Sequence, residues 1–320
     1  MENPILNLQC ASLEELDKAL ATPAEQKFPG GHPAVLSLYG PQILVRQFDL
    51  PLLSSREINN ALKLEVAEVF SLLPEEIEMD YQILDSSKGK TRGVFMGVPK
   101  KLFSDYISRF NKIKITVEKI TANTFSRINF FLHENKIKNE YFCIIDFFKE
   151  GIVNLVVIDK GVCVLLREIH YENLNDVGEE IMYSLKYAVS KSTFKKFDGA
   201  YALGDFLNKG DLISNLEKEL NTGIKKYNYN TNVQLNNNSP DLFFNINLLK
   251  KYIFPLKLQK RLFKATNVIL FVSVLLFLIT AAKTIKQSTA IKRVSSSYNT
   301  DDYKSAKTLQ NELDLLKNAK

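Results

Sequence analysis

The chain is poor in the residues that carry metal, disulfide and nucleophile chemistry. Its 320 residues include only three cysteines and three histidines. Three cysteines cannot complete a disulfide set, and Cys10, Cys143 and Cys163 lack the paired spacing of a zinc site, so they read as reduced thiols. His32, His133 and His170 lie far apart in sequence and form no ligand cluster. No Ser–His–Asp or Cys–His arrangement has support, so no catalytic residue and no metal are expected. Glu75 and Glu76 fall on a surface turn. The N-terminus, MENPILNLQCASLEELDKAL, has neither a basic n-region nor an apolar h-region, so no export of the large domain is expected.

An excess of one charge sign is also missing from most of the chain. Residues 1–240 hold 28 basic and 31 acidic side chains, whereas residues 241–320 hold 14 and 5. The net +6 therefore belongs to the C-terminal quarter, which argues against a nucleic-acid-binding surface on the whole protein. Charged residues at 24% and hydrophobic ones at 45% allow a buried core.

Only one long hydrophobic run is present. Ala265–Ala282 reads ATNVILFVSVLLFLITAA, without a charge and with Lys264 and Lys283 at its ends. As a helix this covers about 27 Å, enough for the hydrocarbon layer, and it reads as a transmembrane helix. Lys250, Lys251, Lys257, Lys260, Arg261 and Lys264 precede it; Lys283, Lys286, Lys292 and Arg293 follow. The bias is mildly positive-inside. The expected topology is single-pass, with a cytoplasmic N-terminal domain and a periplasmic C-terminal tail in a bacterial inner membrane.

Apolar periodicity places the elements. Ala34–Tyr39 and Ile43–Leu50 are strands joined at Gly40-Pro41. Ser54 with Glu57 is a capping box opening a helix whose apolar face is Ile58, Leu62, Val66, Val69 and Phe70. Met79–Leu84 and Val94–Val98 are strands; helices lie near Lys101–Asn111 and Ala122–Glu134, with a strand at Ile115–Ile120. Strands Tyr141–Asp146, Ile152–Ile158 and Val162–Arg167 then precede a helix at Leu174–Val189, a strand at Ala200–Leu203 and a helix near Asp211–Leu220. Three antiparallel strands followed by helix–strand–helix is the layout of half an actin-like, ribonuclease-H-type domain. Asn228–Pro240 is an asparagine-rich, uncharged linker. In the tail, Ala306, Leu309, Leu313 and Leu316 form a seam of about one and a half heptads, which suits a frayed surface helix or a coiled-coil site.

Phe48-Asp49-Leu50-Pro51, Glu57 to Leu62 with Glu65, Pro74, and Asp80-Tyr81-Gln82-Ile83-Leu84 together resemble the PilM family of type IV pilus assembly. So do Ile144-Ile145-Asp146, Gly161 and Arg167. The related GspL proteins of type II secretion carry a similar domain on a membrane helix. Asn245-Ile246-Asn247-Leu248-Leu249 is similar to the "INLL" peptide that opens PilN, the partner of PilM, and so marks a partner-binding segment here, although Lys250 replaces the usual proline. The resemblance implies an α/β, actin-like bilobed domain (1–227), a linker with docking and basic stretches (228–264), a transmembrane helix (265–282) and a helical tail (283–320).

It also implies a function. The expectation is a scaffold for protein transport that links an assembly ATPase to a polytopic platform protein and to PilN/PilO-like or GspM-like bitopic proteins, as a homodimer or ring. Actin-like ATPases need glycine-lined phosphate loops. Before Ala34 no strand leads into Asp-x-Gly, Asp146 is followed by Phe147-Phe148 before Gly151, and Gly204 stands alone where two glycines belong. Asp146, Gly151 and Gly204 thus read as remnants of a pseudo-ATPase with no cofactor, ATP and magnesium included. Gly89-Lys90-Thr91 mimics a P-loop end but reads as a turn. The alternative left open is a membrane-tethered actin-like ATPase that still binds nucleotide.

Overall fold

The computed structural model describes residues 6–25, 33–192, 194–204, 210–228 and 242–318; in its last helix most side chains between 253 and 278 and between 294 and 301 are likewise not described. The expected linker therefore lies almost wholly outside the described residues. Two compact units result, Met1–Ile253 and Phe254–Lys320. The first half of the larger unit runs β1 (Leu6–Cys10), α1 (Leu13–Glu25), β2 (Pro33–Leu38), β3 (Leu44–Pro51), α2 (Ser55–Phe70), β4 (Ile77–Ser87), β5 (Lys90–Pro99), α3 (Lys100–Lys112), β6 (Thr116–Ala122) and α4 (Asn123–Asn135). The second half follows with β7 (Tyr141–Lys149), β8 (Ile152–Asp159), β9 (Val162–His170), α5 (Leu174–Lys191), β10 (Gly199–Gly204), α6 (Gly210–Leu220) and β11 (Ile224–Tyr227).

The second half forms one sheet in the order β11-β10-β7-β8-β9. β7, β8 and β9 pair antiparallel, whereas β10 runs parallel to β7 and β11 parallel to β10. Only the second strand opposes the rest, which is the order and direction of a ribonuclease-H-type half. β7 can sit at the centre because its first eight residues are all buried and mostly apolar, as a strand covered on both faces must be. α5 lays Val177, Ile181, Leu185 and Ala188 on this sheet at helical spacing, all of them buried.

The first half does not repeat that sheet. β2 has β1 on one side and β6 on the other, both parallel, so neither of its edges remains for β3. β3 instead joins β5 and β4 in a separate antiparallel sheet of order β3-β5-β4. α2 covers that sheet with Ile58, Leu62, Val66 and Ala67. Val69, expected on the same face, is 47% exposed because Ala67 takes the inward position of the last turn. The Ser54–Glu57 capping box forms, and the helix closes on Ser71 in the left-handed region. Gly97 lets α2 sit close: a Cβ there would fall 2.6 Å from both Val66 methyls. The Gly89 stretch is the turn of a hairpin between β4 and β5, with Lys88 and Gly89 at positive φ.

The smaller unit is helical. It lies within α7 (Lys250–Lys317), whose first turn belongs to the larger unit. Much of the expected span at 265–282 falls on side chains outside the described residues, and among the described residues no helix is long and apolar enough to cross a membrane. Ala306, Leu309 and Leu313 are exposed on this helix, while the Leu316 side chain lies outside the described set.

Candidate functional site

A groove opens between the two sheets of the first half. β6 is the free edge of the parallel sheet, β4 is an edge of the antiparallel one, and α4 floors the space between them. The chain's own residues 243–252 fill it. Phe244, Ile246, Leu248 and Leu249 are buried and belong to the same core as Ile120, Phe125, Ile128 and Phe103. Phe244 packs on Phe125 with ring centroids 4.8 Å apart, and Tyr252 stacks on Phe103 at 5.6 Å. Burying four such side chains contributes about 1.5–3 kcal/mol each, before the cost of ordering the segment.

Polar recognition is made by side-chain amides and carboxylates rather than by a strand ladder. Asn129 donates to Phe244 O and accepts from Phe244 N–H, both at 2.8 Å. Gln82 does the same across one residue, donating to Phe243 O at 3.0 Å and accepting from Asn245 N–H at 2.6 Å. Asp80 accepts from Asn247 N–H at 2.9 Å. The Asn247 side chain stands in for a peptide group: it donates to Glu118 O at 3.1 Å and accepts from Ile120 N–H at 3.1 Å and Leu249 N–H at 3.0 Å. One backbone pair, Leu248 N–H to Ile120 O at 2.9 Å, joins segment and strand directly. At the exit, buried Glu78 accepts from Lys251 Nζ at 3.1 Å and from the Tyr252 hydroxyl at 2.9 Å.

Two more ionisable groups belong to this wall, half-buried Asp80 and buried Lys119. Burial raises the Asp80 carboxyl above the usual carboxylate range, against the opposing Asn247 N–H bond and the nearby Lys250 and Lys251. Burial lowers Lys119, on β6 between Glu118 and Ile120, to about 8, with Asp80 pulling the other way.

The three loop remnants sit elsewhere. Asp146 and Gly204 lie on neighbouring strands, and Gly151 lies in the turn between β7 and β8. Asp146 is fully buried, and both of its oxygens are taken by Arg127, Nε to Oδ2 at 2.8 Å and Nη2 to Oδ1 at 2.6 Å. Phe148 stacks over that guanidinium at 5.1 Å and meets Tyr39 edge-on at 4.9 Å. Tyr39 donates to Glu15 at 2.8 Å, and Lys149 donates to the Tyr39 hydroxyl at 3.1 Å. The turn after β2 and the end of β7 are therefore clasped by two aromatic rings and an ion network. Gly204, at φ +101°, has no room for a side chain, since a Cβ would lie 2.1 Å from Phe147 O. A carboxylate bound at both oxygens, behind an aromatic ring, does not fit a magnesium ligand. Thr121 Oγ1, the Asn123 amide and Arg127 Nη1 are buried nearby without a hydrogen-bond partner among the described residues. No group of His, Cys, Asp and Glu among the described residues could hold a metal ion.

The sequence reading named Asn245–Leu249 but missed most of what holds them. Asp80 and Gln82 entered it as part of a resemblance only, and Asn129 and Arg127 not at all. The signal was present in α4, where Asn123, Thr124, Ser126, Arg127 and Asn129 interrupt an otherwise apolar helix and are all buried.

No protein-family model matches this chain, and no curated protein matches it. Among solved structures it is similar to a PilM-PilN type IV pilus biogenesis complex, at 14% identity and a TM-score of 0.49, covering 61% of this chain and 69% of that one. A Bacteroides thetaiotaomicron protein with an actin-like ATPase fold and unknown function gives 13%, 0.45, 66% and 76%. The cytoplasmic domain of EpsL, an inner membrane component of the Vibrio cholerae type II secretion system, gives 11%, 0.40, 73% and 83%. The α/β fold is assigned here from strand order and direction, which the second sheet carries in full.

Proposed function

We propose that this protein is a membrane-tethered scaffold of a type IV pilus or type II secretion assembly platform. In this reading its actin-like domain holds an asparagine–leucine segment and no nucleotide. The observation that carries the proposal is the filled groove: a short peptide resembling the PilN terminus is seated by Asn129, Gln82, Asp80 and the β6 edge. Partner and receptor then share one chain, and the apolar run at 265–282 anchors the pair in the inner membrane, with the tail periplasmic. The Arg127–Asp146 pair and the Tyr39–Phe148 contact favour a cleft closed to ATP and magnesium over a tethered ATPase.

Affinity purification of the full chain from detergent-solubilised membranes tests the scaffold role. Recovery of an assembly ATPase together with a polytopic platform protein and bitopic partners is expected. Their consistent absence under conditions that keep the chain folded would sink the proposal. Separately, saturating Mg-ATP should leave the thermal melt unmoved, because a ligand at 100 times its dissociation constant would add about 2.7 kcal/mol.

A further inference from the structure

β4 carries polar side chains at alternate positions, Glu78, Asp80 and Gln82, on the face turned to the docked segment. Met79 and Tyr81, between them, pack into the core under α2. The three polar groups are not alike. Neutral Gln82 meets the uncharged entry at Phe243 and Asn245, Asp80 meets the middle at Asn247, and Glu78 meets the exit at Lys251 and Tyr252. A tight turn brings the exit there. Lys250 N–H donates to Asn247 O and Tyr252 N–H to Leu249 O, both at 2.9 Å, which opens α7 and sets the two side chains beside the start of β4.

Glu78 is only 4% exposed, and its two oxygens are divided between two partners. Oε1 accepts from Lys251 Nζ at 3.1 Å and Oε2 from the Tyr252 hydroxyl at 2.9 Å. Both partners are held from a second side: Lys251 Nζ also donates to Met79 O at 3.1 Å, and the Tyr252 ring stacks on Phe103. Lys119, buried on β6, interacts with Asp80, so the cation paired with Glu78 comes from the segment itself. A buried carboxylate that loses one partner is stranded away from water, and that penalty is large. Such a group selects by rejection. A ligand that fills every apolar pocket but lacks the polar partner is refused more strongly than one short of a methylene.

We propose that Glu78 is a specificity-determining residue of the docking groove. It selects apolar–asparagine segments in which a lysine and a tyrosine follow the last leucine by two and three residues, and it rejects segments with an apolar or acidic residue in place of the lysine. The proposal rests on the reading of the groove as a docking site. The test uses the full chain in detergent micelles, with Leu248→Asp, Leu249→Asp, Lys251→Ala and Tyr252→Ala to free both groove and exit of its own segment. Labelled, C-terminally amidated peptides spanning Leu242–Tyr252 are titrated by fluorescence anisotropy. The natural peptide should bind about tenfold tighter than one carrying Lys251→Ala, and about a hundredfold tighter than one carrying Lys251→Glu. A Tyr252→Phe peptide, which keeps the ring and loses the hydroxyl, should bind about threefold to tenfold more weakly than the natural one. Glu78→Gln in the receiving chain should bring the natural and Lys251→Glu peptides within about threefold of each other. The peptide series leaves the protein unchanged, so it decides the matter even if the Glu78 variant misfolds. Equal binding of all four peptides would overturn the proposal and leave the docking site standing. Binding of none would overturn the docking reading and the proposal with it. A lysine preference undiminished in Glu78→Gln would assign the lysine to Asp80 and overturn the proposal as well.

Discussion

The docking groove and the clasped cleft are both closed, but by opposite chemistry. The groove is closed mainly by side-chain amides that read a peptide backbone residue by residue, each bond worth about 1 kcal/mol net, with the Asp80 and Glu78 carboxylates at its wall. The cleft is closed by a fully buried ion pair under an aromatic ring. Amide contacts can be exchanged one for one with the same peptide from another source, so the groove is suited to recognition. A buried ion pair cannot be half-opened, because either charge alone in that setting is costly, so the cleft is suited to permanence. The same fold thus holds one place built to be read and one built to stay shut.

The largest expected effect separates them through charge. Arg127→Met leaves Asp146 buried without a partner and should destabilise the chain by about 3–5 kcal/mol in chemical denaturation. Adding Asp146→Leu should restore most of that loss. If the single variant were nearly silent, the cleft would not be held by this pair.

The groove should respond less to any one change. Asn247→Ala removes three side-chain bonds and leaves Ile120 N–H and Glu118 O to find other partners, costing about 1–3 kcal/mol. Asn245→Ala should cost much less, since only its backbone N–H is used, toward Gln82. Equal effects of the two would remove the distinction between a residue that is read and one that spaces.

Much of this was legible in the sequence, and the failures have physical reasons. β7 to β10, α5 and α6 follow from apolar periodicity and turn residues, because each buries one regular face. β1 and α1 were missed although Leu6, Leu8 and Cys10 alternate and Ser12 stands three residues before Glu15. A strand of only five residues gives periodicity too little length to register. The separate β3-β5-β4 sheet was not legible, since it depends on β1 occupying the edge of β2. The docked segment was visible as a motif, yet its recognition by Asn129 and Gln82 was not. Those partners lie 115 and 163 residues away, and polar side chains carry no periodic mark.

A pH-dependent effect concerns Lys119. Its pKa in the folded chain falls from 10.5 to about 8, so the folded state binds fewer protons than the unfolded state between those values. Stability from this group therefore rises with pH across that window, and the cost of its burial is fully present below pH 8. Lys119→Met should stabilise the fold at pH 7 by roughly 1–3 kcal/mol, and the gain should shrink as pH approaches 10. A gain independent of pH would mean that the amine is not what is penalised.

The most direct measurement is peptide exchange at the groove. A fluorescent peptide spanning Leu242–Tyr252 is titrated into the full chain, as wild type and as Leu248→Asp with Leu249→Asp. A tethered segment competes at an effective concentration near millimolar, so the account predicts binding to the variant and almost none to the wild type. Binding of equal strength to both, or to neither, would contradict the claim that the chain's own segment is the groove's ligand.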